Sequence, residues 1–338
     1  MKILFIGGTG NISAAVSRLV VERGHQLDLM NRGRSRPRPI PEGARVIEAD
    51  VRAPGVPEAL RGASYDVVVD WIAFTPSDVE RDLHWFGGGE TGASGPVAEI
   101  GQLVFISSAS AYQKPPAHPV ITESTPLANP YWQYARDKIA CEERFMHAYR
   151  ASSFPITIVR PSHTYDTVVP VAVGHWGYTV IDRMRRGHPI IVHGDGTSLW
   201  VMTHAEDFAR AFVGLLGNPQ TLGHAFHITS DELLTWNQIY QAIGSAAGVR
   251  PELVHMPSEF IARHDAATGA GLFGDKAHSV VFDNTKIKRL VPGWAAEIPF
   301  SSGIRRTVAW FDDDASRRTI DVESNAHMDA MLKAYKAL

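Results

Sequence analysis

Apolar residues fill positions 2–6, stop at Gly7-Gly8-Thr9-Gly10, and resume at helical spacing as Ile12, Ala15, Val16, Leu19 and Val20 before Gly24. An unbroken apolar run predicts a strand buried on both faces of a parallel sheet, and the spacing after it predicts a helix closed by glycine. Further strands are expected at 26–30, 45–49, 66–70, 103–106, 156–160 and 225–229. Helices are expected at 76–86, 131–151, 205–216 and 235–247. Strands that alternate with helices predict an α/β fold, a Rossmann-type doubly wound parallel sheet. The alternation lapses over 162–203 and 252–311, which predicts a smaller, mainly C-terminal substrate lobe. The expected division is 1–161 plus 204–232 for the dinucleotide-binding part, 162–203 plus 233–311 for the lobe, and 312–338 for a polar tail that frays or docks on a partner. Ser301 is the expected cap of the last helix. Residues 87–97 read as a flexible surface insertion, and the string around Gly269, Gly271 and Gly274 as a mobile loop over the substrate.

The first turn carries chemistry. A strand, a glycine turn and a helix in that order predict a pyrophosphate site, with backbone amides at the positive end of the helix. Gly7, Gly8, Thr9, Gly10, Asn11 and Ile12 would line it. Ser13 takes the place of the third glycine, which serves close helix–strand packing. The second strand ends in Asn31-Arg32-Gly33-Arg34 with no carboxylate directly after it. That favours NADP over NAD through an arginine–phosphate pair, with Asp28 pointing elsewhere. Asp50 and Val51 are expected at the adenine, and Ala73 after the fourth strand.

The fifth strand runs into Ser107-Ser108-Ala109-Ser110-Ala111-Tyr112, at the carboxyl end where a doubly wound sheet binds ligands. The following helix carries Tyr134 and Lys138, four residues apart and so on one face. An isolated phenol ionises near pH ~10, and a fixed ammonium beside it lowers that value, giving an acid–base pair for an alcohol or carbonyl.

Composition narrows the class. The 338 residues are 44% hydrophobic and 20% charged with a net charge of −3, which gives no electrostatic reason to bind nucleic acid or an anionic membrane. No apolar run is long enough for a membrane span, and because the chain opens on a core strand no signal peptide is expected. Cys141 is the only cysteine and reads as packing, so a cytoplasmic protein is expected. The fifteen histidines show no His-Glu-x-x-His spacing, and no metal is expected.

The chain resembles the NAD-dependent epimerase/dehydratase family of the extended short-chain dehydrogenase/reductases, over residues 1–311. Gly7, Gly10 and Ser13 match its glycine turn with the third position altered. Residues 105–112 match its SS-x-x-x-Y strand, Tyr134 and Lys138 its catalytic helix, and Arg160-Pro161 the end of its sixth strand. Residues 193–196 and 205–207 match its G-D-G turn and helix start. The resemblance implies a Ser108, Tyr134 and Lys138 catalytic set and a cofactor, NAD or NADP, touching Ser107 and Pro161 as well. Tyr134 would exchange the hydroxyl proton, and Lys138 would lower its pKa and hold the cofactor ribose. It also implies a homodimer through a four-helix interface. His163 stands where sugar-nucleotide members have asparagine, and Trp200 where they have the arginine that holds the substrate diphosphate. Both are candidate substrate residues. The expected activity is hydride transfer at a secondary alcohol or ketone of a sugar or sugar-nucleotide-like substrate, by an epimerase or an oxidoreductase. A carbonyl reductase of a small non-nucleotide substrate is the alternative, and a dehydratase ranks last. A non-catalytic, RNA-binding or scaffold relative of the fold is the rival of another class.

Overall fold

In the computed structural model, described for residues 1–33, 38–87 and 95–337, the centre is a seven-stranded sheet. Its strands are β1 (Lys2–Ile6), β2 (Gln26–Asn31), β3 (Arg45–Glu48), β4 (Ser64–Asp70), β5 (Glu99–Ile106), β6 (Ile156–Pro161) and β7 (His224–Ile228). All neighbours pair in parallel in the order β7-β6-β5-β4-β1-β2-β3. The order reverses between β1 and β4, and a doubly wound sheet opens its ligand crevice at that point.

The continuous apolar runs follow from helices on both faces. Ile3, Phe5, Val67, Val69, Val104 and Ile106 face α1 (Ser13–Glu22) and a later helix, Ala205–Val213. Their alternates Leu4, Ile6, Val68, Leu103 and Phe105 face α2 (Pro76–Gly87) and α3 (Gln133–Ser152). Successive residues of a strand point to opposite faces, so every position is buried. Cys141 is fully buried in α3, where burial pushes its thiol up to about 12.

Outside the sheet, short pairs build a second core. Ile190–His193 pairs with Leu253–Met256, Thr203–His204 with Thr164–Tyr165, and Leu199–Trp200 with Leu234–Thr235. Trp200, Trp236 and Tyr240 lie at its heart.

Three expectations are corrected. The stretch around Gly269, Gly271 and Gly274 is a helix, Ala266–Gly271, running into a single π-turn, Leu272–Lys276. Its glycines serve close packing: a Cβ on Gly274 would lie 2.6 Å from Trp132 Cβ. The tail does not fray. Its helix Val322–Lys336 buries Met328, Met331 and Leu332, and Arg183 bonds Asn325 Oδ1 at 2.6 Å and Asp329 Oδ1 at 2.8 Å. The helix Phe300–Asp312 begins after Pro299, with Glu232 accepting the Phe300 N–H at 2.6 Å, so Ser301 already lies inside the first turn. Of the 87–97 insertion, residues 88–94 lie outside the described residues, as does Arg34.

Candidate active site

The glycine turn is shaped by contacts that exclude side chains. Gly7 and Gly8 have φ of +98° and +107°, and a Cβ on Gly8 would sit 2.6 Å from Leu29 Cδ2. Ser13 does more than replace a small residue: its Oγ accepts the Gly10 N–H at 2.8 Å, while Ser17 Oγ donates to Gly8 O at 2.8 Å. Among the described residues no side chain caps α1, and the residues of its N-terminus, Gly10 to Ser13, line the cavity beside the turn. A turn whose positive φ values and tight packing require glycine, lining a cavity ahead of a helix N-terminus, fits a dinucleotide pyrophosphate.

The cavity, about 570 Å³, extends from this turn to Ser108, Tyr134 and Lys138. It also touches Ser107, Pro161 and His163, so most of the expected residues converge. Ser107 is buried and donates to Glu142 Oε1 at 2.5 Å, and Glu142 is ion-paired to Arg160 at 2.5 Å. The end of β5 is thereby fixed from below.

Lys138 is held as firmly. Its Nζ donates to Ala73 O at 2.6 Å and Ile106 O at 2.7 Å, and lies 5.8 Å from the Tyr134 ring centroid. Ala73 takes part through that carbonyl, and Asp70 Oδ1 accepts the Ala73 N–H at 2.8 Å. Burial lowers the Lys138 pKa to about 8, with Cys141, Asp70, Asp78 and Glu142 pulling the other way. Burial raises Tyr134, and the Asp275 carboxylate adds to this while the facing Ser108 hydroxyl opposes it. The phenol therefore stands protonated at neutral pH. Ser108 Oγ accepts the Ser110 N–H at 3.1 Å and so has a fixed position.

His163 and Trp200 form one unit. Trp200 lies in the layer behind the cavity wall, 2% exposed, and its indole N–H donates to His163 Nδ1 at 3.3 Å. An indole nitrogen can only donate, so Nδ1 is the bare nitrogen and Nε2 carries the proton. Nε2 is buried and has no partner among the described residues. The ring stacks on Trp176 with centroids 4.7 Å apart, and burial, helped by Lys276, keeps it neutral.

The structure does not bring Asn31, Arg32, Asp50 or Val51 into this cavity. Asn31 Oδ1 accepts the Gly33 N–H, and Asp50 Oδ1 accepts the Arg52 N–H. Val51 lines a neighbouring cavity that shares Phe74. Asp28 is buried, bound by Arg45 and Tyr65, and does not line this cavity. Two groups near the turn were not foreseen. A Cβ on Gly33 would meet Glu48 Oε1 at 2.7 Å, so a carboxylate from β3 lies against this loop. Arg38 donates to Thr167 Oγ1 and Asn11 Oδ1, laying a guanidinium beside the glycine turn.

Sequence reasoning also missed Trp132, Trp176, Asp275 and Lys276, all in the cavity wall. The two charges ride on the π-turn that was expected to be a loop. The only local signal was an Asp-Lys pair following a glycine-rich stretch.

Residues 89–229 match the model of the NAD dependent epimerase/dehydratase family. The chain is 27% identical over 301 residues to 2'-dehydrokanamycin reductase of Streptomyces kanamyceticus, covering 87% of this chain and 80% of that one. It is 26% identical over 342 residues to chloroplast stem-loop binding protein of 41 kDa b of Arabidopsis thaliana, covering 99% and 85%. Among solved structures, UDP-glucuronic acid 4-epimerase of Bacillus cereus in complex with NAD superposes with a TM-score of 0.67 at 16% identity, covering 94% and 99%. At that identity the likeness speaks for the fold. With its seven-stranded parallel sheet and its glycine turn, the chain is similar to proteins of the NAD-dependent epimerase/dehydratase family, whose model matches its residues 89–229.

Proposed function

We propose that this protein is an oxidoreductase or epimerase that uses a nicotinamide dinucleotide to act on a secondary alcohol or ketone of a carbohydrate-like substrate. One observation carries the reading: the glycine turn, Ser108, Tyr134 and Lys138 converge in a single cavity. The amides after Gly10 bind the pyrophosphate. When bound, the nicotinamide supplies the hydride acceptor or donor. Tyr134 takes or returns the proton of the substrate oxygen. Ser108 holds that oxygen in line with the phenol. Lys138 spends two of its N–H groups on the Ala73 and Ile106 carbonyls and keeps the third for the cofactor ribose. Its charge also favours the phenolate.

Trp200 supports a substrate smaller than a sugar nucleotide, because a buried indole committed to His163 offers no charge to a diphosphate. Cofactor choice rests on two opposed charges at the loop after β2, Arg32 in that loop and Glu48 of β3 lying against it; the arginine favours NADP and the carboxylate NAD. The relative whose name is stem-loop binding protein favours a second reading, a nucleic-acid binder. The net charge of −3 and the retained Tyr134–Lys138 pair favour the enzyme.

Tyr134→Phe tests the assignment. Sugars are incubated with NAD(H) or NADP(H), with nicotinamide absorbance followed alongside chromatography of the sugar products. The variant should bind cofactor as the wild type does and lose turnover by about 10²–10⁴-fold. Turnover that survives removes Tyr134 from its role.

A further inference from the structure

The far wall of the cavity carries Asp275 and Lys276, and a second ammonium, that of Lys114, is buried against the Asp275 carboxylate. Lys114, its side chain 1% exposed, places Nζ 3.4 Å from Asp275 Oδ1. Lys276 lies 4.0 Å from Asp275 Oδ2, with its side chain 12% exposed, and its Nζ makes no hydrogen bond to any described residue. Asp275 thus has Lys114 as its nearer partner, and one enclosed positive charge is left over. An enclosed cation without an acceptor is costly unless something else supplies one.

Lys276 is also rigidly placed. Its carbonyl accepts from Trp236 Nε1 at 3.2 Å, Ser198 Oγ at 3.3 Å and His193 Nε2 at 3.0 Å. Its Nζ lies 5.1 Å from the Trp132 ring centroid, and the Trp132 ring lies 4.9 Å from the Tyr134 ring. The Lys276 ammonium therefore stands at the reacting end of the cavity. In the same wall is His163, 7% exposed, whose Nε2–H has no partner among the described residues.

We infer that Lys276, with the Nε2–H of His163 in the same cavity wall as a second donor, is the recognition site for an anionic substituent of the substrate, a carboxylate or a phosphate. The inference rests on the reading of this cavity as a carbohydrate site and names its substrate class. A planar or tetrahedral anion satisfies both donors and neutralises the surplus charge. Trp132 and Trp176 then flank the sugar ring. An uncharged sugar leaves the ammonium without a counter-charge, and an amino sugar repels it.

Isothermal titration of the full chain, with and without saturating NAD⁺, tests this. The probes are D-glucuronate, D-galacturonate, D-glucose 6-phosphate and the neutral parents D-glucose and D-galactose. At least one anion should bind about tenfold or more tightly than its neutral parent. A uronate preference identifies a carboxylate, and a 6-phosphate preference a phosphate. Lys276→Gln should erase the preference, and Lys276→Arg should keep it. Equal binding of anions and parents, or a preference that survives Lys276→Gln, overturns the inference. A separate NAD⁺ titration keeps the two readings apart. A chain that binds NAD⁺ but lacks the anion preference sinks this inference alone, whereas failure to bind either dinucleotide sinks the proposed function.

Discussion

Lys138→Met separates a catalytic lysine from a structural one, because its two costs nearly cancel in stability. Burial lowers the ammonium pKa from 10.5 to about 8, which corresponds to about 3 kcal/mol against carrying the charge at neutral pH. Methionine removes that penalty and fills similar space. It also leaves the Ala73 and Ile106 carbonyls without their donor, at about 1–3 kcal/mol each. The sum is a net destabilisation of about −1 to +3 kcal/mol. Turnover should meanwhile fall by about 10²–10⁴-fold through loss of the phenolate's counter-charge. Urea unfolding at pH 7 gives the first quantity, and turnover per folded molecule gives the second. The pH dependence adds a check of sign. Between about pH 8 and pH 10.5 the unfolded chain holds the Lys138 proton and the folded chain does not, so wild-type stability should rise with pH relative to the variant. A variant that loses more than about 5 kcal/mol while keeping its turnover per folded molecule would refute the reasoning.

Two other outcomes follow from the buried charges and the cofactor loop. Glu142→Ala strands the Arg160 guanidinium, 5% exposed, and frees Ser107, so unfolding free energy should drop by about 3–5 kcal/mol in urea; a drop below about 1 kcal/mol contradicts the assigned support of β5. Glu48→Gln removes the negative charge lying against Gly33 and should tighten NADPH binding several-fold relative to NADH, with Arg32→Ala shifting the ratio the other way; a ratio unmoved by both places the 2'-phosphate elsewhere.

Much of this site is legible in local sequence. The change from a continuous apolar run to helical spacing across Gly7–Gly10 needs no distant contact to read. Tyr134 and Lys138 meet because four residues make about one helical turn. What stayed hidden depends on distant contacts. Lys276 is placed by hydrogen bonds from Ser198 and Trp236, in other elements of the lobe. The glycines before it resemble loop residues, but Gly274 is there because Trp132 comes close. The final helix offers only Met328, Met331 and Leu332 to the core within a polar stretch, which is a weak signal until Val173, Ile191 and Phe260 are seen beneath it. Trp200 could not be oriented from sequence, since a tryptophan suits a cavity wall as well as the layer behind it.

The most direct test is a crystal structure of the chain soaked with NAD⁺ or NADP⁺. The pyrophosphate should lie on the amides after Gly10, the ribose at Lys138, and the nicotinamide within contact of Tyr134 and Ser108. A dinucleotide bound elsewhere, or a phenol out of reach of the nicotinamide, would contradict this arrangement.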